Sequence, residues 1–67
     1  MGFNHIKLNE LLTTQGRKAT SRLSAALDVS TKAVYAWRTG TVSPTLWRIG
    51  KIAEYFKINP RDLLIFA

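Results

Sequence analysis

Apolar side chains recur at intervals of three and four along most of this chain, the period of helices with one buried face. Turn and capping residues interrupt that pattern and predict five helical segments. Asn4 is positioned to cap a first helix through about Gln15, with Ile6, Leu8, Leu11 and Leu12 as its apolar positions and Gly16 as its stop. Thr20 or Ser21 opens a second helix, on which Leu23 and Leu27 lie one turn apart. Ser30 or Thr31 starts a third, ending at Gly40, with Val34 and Trp37 directed inward. Ser43 and Pro44 give the fourth a capping side chain and then proline at the first helical position, where a missing N–H costs nothing. Leu46, Ile49, Ile52, Ala53 and Phe56 continue its apolar face. Asn59 and Pro60 repeat the start signal, with Asp62 in the first turn where a negative charge suits the helix dipole. That fifth segment leads Leu63 and Leu64 back onto the core. No stretch sustains the strict alternation of a strand, so the expected fold is all-α.

Length and chemistry narrow the possibilities. The 67 residues leave room for one small domain, expected over residues 1–67, and 46% hydrophobic content is enough for a modest core. Cysteine is absent and His5 is the only histidine, so disulfides, cysteine-based zinc sites and thiol nucleophiles are excluded, and no metal or cofactor is expected. The longest apolar run, residues 63–67, is far below the roughly 20 residues of a membrane span. With no signal-peptide pattern near the start, the chain reads as soluble and cytoplasmic, with neither a membrane nor a small-molecule substrate as partner. Glu10, Asp28, Glu54 and Asp62 fall on different segments, which argues against an enzyme, and His5 reads as a solvated side chain.

Charge changes the picture more. Ten Lys and Arg against four Asp and Glu give a formal net charge of +6. Seven of the basic residues (Arg17, Lys18, Arg22, Lys32, Arg38, Arg48 and Lys51) lie in residues 17–51, with Asp28 as the single acid among them. Such clustering is the electrostatic footprint of a nucleic-acid binder, although a basic surface also serves solubility.

The second and third helices are joined by only three or four residues, so they must cross steeply and share few contacts, through Leu23, Leu27, Val29, Val34 and Trp37. Ser24 supplies a small side chain where they touch, and Asp28 occupies the turn, where a left-handed backbone is expected. This arrangement over about residues 20–39 resembles the helix-turn-helix of the lambda-repressor-like family, which includes phage Cro proteins and Xre-type regulators. Ser43, Pro44 and Leu46, then Ile49, Ile52, Ala53, Phe56, Ile58 and the run from Asn59 to Leu64, are similar to the family's fourth and fifth helices at matching spacing. The resemblance covers about residues 6–64 and implies a five-helix DNA-binding domain. Thr20 stands where the family often has a phosphate-contacting Gln, Ser24 where Ala is usual, and Asp28 where Gly is usual. Arg38 replaces a frequent Glu that pairs with an Arg of the first helix; with the signs exchanged, Glu10 is its expected partner.

On a helical wheel, Lys32, Tyr35, Ala36 and Thr39 lie within about 50° of the direction opposite Val34 and Trp37, with Thr31 at the N-terminal flank. Thr31, Lys32, Tyr35 and Ala36 are therefore the expected base-reading set, in agreement with the family's use of this helix in the major groove. Phosphate contacts are expected from Arg17, Lys18, Thr20, Ser21, Thr39 and Thr41, around the start of the second helix and the flanking loops. Trp37 reads as core, whereas Trp47, between core positions Leu46 and Ile49, is expected to fold over the core edge or to meet a second subunit. The resemblance implies a bacterial or phage transcription regulator, acting as a repressor by operator occupancy. Because one recognition helix contacts too few bases for high specificity, and Leu64, Ile65 and Phe66 offer spare apolar surface, the nucleoid-associated chain is expected to bind double-stranded DNA as a symmetric homodimer while being a weakly associated monomer alone. The competing reading is a protein-interaction module such as an antitoxin or anti-repressor.

Overall fold

The computed structural model describes residues 2–65. Its order is β1 (Gly2–Phe3), α1 (His5–Gln15), α2 (Ala19–Leu27), α3 (Thr31–Thr39), α4 (Leu46–Phe56), a 3-10 turn (Pro60–Leu63) and β2 (Leu64–Ile65). The expected fifth helix is thus a single 3-10 turn. Asn59 accepts from the Arg61 amide as a cap would, but four residues from Pro60 do not propagate an α-helix before the chain turns extended at Leu64. Leu64 and Ile65 then pair antiparallel with Phe3 and Gly2, so the described residues also contain a small sheet, which segments of two residues are too short to announce by alternation. Phe66, part of the expected spare apolar end, lies outside the described residues.

Capping residues fix most helix starts. Asn4 accepts from the Lys7 amide at 3.0 Å and Ser30 from the Ala33 amide at 3.1 Å. At α4 the cap is Thr45, accepting from the Arg48 amide, so Ser43 and Pro44 precede the helix, and Pro44 is buried instead of opening it. Helix α2 begins at Ala19, one residue before the expected start, with Lys18 in the cap position and no side-chain cap bond.

Three helices stop in the same way. At Asp28, Gly40 and Lys57 the backbone enters the left-handed region, at φ 56°, 78° and 58°. In each case the next amide bonds five residues back (Val29 to Ser24, Thr41 to Ala36, Ile58 to Ala53). This is the Schellman arrangement, and Val29 and Ile58, the residues after two of those turns, pack against the core as the motif favours. At Gly40 there is a second reason for glycine: a Cβ would lie 2.9 Å from the His5 ring. His5 is therefore half-buried against this turn rather than freely solvated.

The core comprises Phe3, Leu8, Leu12, Ala19, Leu23, Val34, Trp37, Ile49, Ile52, Ala53 and Leu63, drawing on every helix. Leu8 and Leu12 carry the inner side of α1 while Ile6 is exposed, and α4 buries Ile49, Ile52 and Ala53 while Leu46 remains 68% exposed. Leu46 sits at the first helical position, beyond the reach of the packing that covers the following turns.

Left-handed residues with a Cβ carry strain that glycine lacks. Lys57→Gly is expected to stabilise the protein by about 0.5–1 kcal/mol, and Gly40→Ala to destabilise it by about 1–2 kcal/mol or more, because strain and the His5 contact act together. Urea denaturation of the two variants beside wild type checks both signs.

Candidate nucleic-acid interface

The reversal at Asp28 sets how α3 stands against α2. Leu23 and Val34 are fully buried and Trp37 is 6% exposed, so one side of α3 is committed to the core. Ser24 is buried where the helices meet, and its hydroxyl is satisfied by donating to the Ser21 carbonyl at 2.8 Å. Burying Val34 and Trp37 forces the opposite side outward. Thr31, Lys32, Tyr35 and Thr39 are exposed and Ala36 is half-buried between them, so the structure brings the residues expected to read bases onto one continuous helix face.

Beside that face lie the loops. Arg17, Lys18 and Ser21 are exposed around the start of α2. This helix start lacks the side-chain cap that α1, α3 and α4 have; the Ala19 amide donates to the Gly16 carbonyl, which leaves the Thr20 and Ser21 amides to meet an anion. Thr39 and Thr41 join at 2.9 Å between their hydroxyls. Because Thr39 spends its proton on the Ala36 carbonyl, Thr41 is the donor in that pair. In this geometry the Thr41 proton is directed to Thr39, so neither hydroxyl has a proton left over.

Thr20 does not belong to that exposed set. It is 5% exposed, and its hydroxyl accepts from Arg38 Nη1 at 2.8 Å, so this side chain is an internal anchor rather than a surface phosphate contact. Arg38 also donates through Nε to Asn9 Oδ1 at 2.8 Å and through Nη2 to Thr13 Oγ1 at 3.4 Å. The expected Glu10–Arg38 ion pair is absent; Asn9 and Thr13, one helical turn apart, hold the guanidinium in its place. One side chain of α3 therefore binds two positions on α1 and one on α2. All three acceptors are neutral, so the positive charge stays uncompensated beside the start of α2. Asn9 and Thr13 carry no signal in the sequence that marks them as partners; only their one-turn spacing is suggestive.

A second arginine was equally hidden. Arg48 Nη1 donates to the Leu27 carbonyl at 2.9 Å, satisfying a C-terminal carbonyl of α2 with a cation where the helix dipole favours one. Trp47 does not fold over the core edge: it is 64% exposed, and the cations of Arg48 and Lys51 lie 5.3 and 5.4 Å from its ring centre.

Among the described residues no group of histidine, cysteine or acidic side chains has the makings of a metal site, and no helix is long and apolar enough to cross a membrane. A family model described as a Cro/C1-type HTH DNA-binding domain matches residues 7–67. Neither the curated proteins nor the solved structures give a match to the chain.

Replacing Arg38 by Met is expected to lower stability by about 1–2 kcal/mol, since it removes three charge-assisted hydrogen bonds and strands the buried Thr20 oxygen. A double-mutant cycle by urea denaturation should give measurable coupling between Arg38 and Thr20. The Arg38/Glu10 cycle should give none.

Proposed function

The chain belongs to the Cro/C1-type helix-turn-helix DNA-binding family, and we propose that it is a sequence-specific transcription regulator, a repressor of bacterial or phage type that acts by occupying its operator. The observation that carries this reading is the outward face of α3, on which Lys32 and Tyr35 (56% exposed) stand opposite the buried Val34 and Trp37. A helix about 14 Å long with one polar face fits the major groove of B-DNA.

Within that groove Lys32 donates to guanine O6 or N7, Thr31 bonds a base edge or a nearby phosphate, and the Ala36 methyl meets a thymine methyl. Tyr35 reaches a phosphate or lies along a sugar. Arg17, Lys18 and Ser21 hold the backbone, helped by the Thr20 and Ser21 amides of α2, and Thr39 and Thr41 join them by turning their hydroxyl protons from Ala36 and from each other to a phosphate. Thr20 serves this surface indirectly, by fixing Arg38 and with it the angle of α3. These phosphate contacts set register and affinity; the α3 face sets sequence preference.

One recognition helix covers too few base pairs for high specificity, so the protein acts as a homodimer on DNA. Exposed Leu46, in a shallow groove with Phe3, Pro44 and Leu64, supports an apolar contact with a second copy. Selection of bound sites from random duplex DNA is expected to return a two-fold symmetric operator with half-site centres about 10 base pairs apart. An asymmetric site would remove the dimer.

Reading and holding are separable by substitution. Lys32→Ala should cost about 1–3 kcal/mol on the selected site and relax preference at one base pair per half-site. Lys18→Ala should weaken selected and scrambled duplexes alike and reduce the salt slope by about one per subunit. Titrations at several salt concentrations test both, and an unchanged selected-to-scrambled ratio for Lys32→Ala would show that α3 does not read bases through this residue.

A further inference from the structure

A groove of about 370 Å³ runs between the C-terminal end of α2 and the outer side of α4, floored by Ala26, Leu27, Trp47 and Tyr55 and edged by Arg48 and Lys51. We propose that this groove docks an acidic segment of another protein, one that carries apolar side chains between its carboxylates.

Four features support that occupant. Trp47 has two cations of its own helix beside its ring yet remains 64% exposed, so part of its rotamer freedom is already restricted before any partner arrives and less entropy is lost on docking. Tryptophan, tyrosine and arginine are the side chains that dominate the energetics of protein interfaces, and all three line this one groove. The charge is net positive: Arg48 and Lys51 outnumber Glu54 in the lining, and Arg22 lies one turn before Ala26 on the same side of α2. The one carboxylate of the groove, Glu54, is already engaged by Lys51 at 3.8 Å. Apart from it, the polar side chains are donors: guanidinium, ammonium, indole N–H and a phenol.

Other occupants fit less well. A second copy of this chain brings a net charge of +6 against a basic groove. Duplex phosphates satisfy the cations but leave Leu27 and the indole facing water. The groove also lies off the surface assigned to DNA, since Ser21 and Ala26 are about 140° apart around α2 at 100° per residue. A partner can therefore sit here while α3 is engaged, which makes the groove independent of the DNA-binding reading.

The test uses a short synthetic peptide with leucine at helical spacing and glutamate elsewhere, labelled and titrated by fluorescence anisotropy against the full chain. Wild type should bind it, the lysine-for-glutamate counterpart should not bind, and an excess of duplex DNA should leave the complex intact. Trp47→Ala should weaken binding roughly thirtyfold, the scale of an interface hot spot. Lys51→Glu should weaken it by a smaller factor, and both exposed variants should keep the wild-type thermal midpoint. Absence of binding, equal binding by Trp47→Ala, or equal binding of the lysine peptide overturns the proposal. Displacement of the peptide by duplex, with both variants losing DNA affinity instead, overturns it in favour of a groove that belongs to DNA.

Discussion

The orientation of α3 depends on one backbone reversal, at Asp28. There the chain leaves α2 with a left-handed residue, and Val29 bonds back to Ser24 across the turn. That reversal sets the direction in which α3 leaves α2, and with it whether Leu23 and Val34 both reach the core. It also determines which side of α3 remains outside. An aspartate at the position is tolerable because its short polar side chain accepts left-handed geometry better than most. The strain it retains is small beside the burial it makes possible.

Two arginines then fix what the turn leaves adjustable. Arg38 ties α3 to α1 and α2 through neutral oxygens, and Arg48 ties α4 to the last carbonyl of α2. An ion pair in the place of the Arg38 network would hold the same helices but cancel the charge. Hydrogen bonds to Asn9, Thr13 and Thr20 keep the geometry and retain the cation near the start of α2. The arrangement thus joins a packing task to an electrostatic one in a single side chain.

The helix cores and the outward face of α3 were legible in the sequence because both follow from the spacing of apolar residues. Val34 and Trp37 fix a wheel direction whatever the rest of the fold does, and Lys32 and Tyr35 fall opposite them. The start of α4 was misread because Ser43 and Pro44 satisfy the local rule for a helix cap, yet Pro44 is buried by tertiary packing and Thr45 takes the cap. The last segment was misread for a related reason: Asn59 and Pro60 start a helix, but four residues from Pro60 cannot continue one. Thr20 was read as a surface hydroxyl because nothing local shows that Arg38, eighteen positions away, holds it. Contacts between distant side chains leave no periodic trace.

The pairing of Gly2–Phe3 with Leu64–Ile65 bears on the order in which the molecule assembles. Every other reversal in the chain is closed by residues a few positions apart, within reach as soon as they leave the ribosome. This ladder joins positions more than sixty apart, and synthesis at about 5–20 residues per second separates them by several seconds. During that interval α1, α2 and α3 have all their mutual partners, while Phe3 still lacks Leu64. Phe3 and Leu63, both buried, are thus the core side chains whose enclosure waits for the C-terminal residues of the domain, across the longest loop the fold has to close.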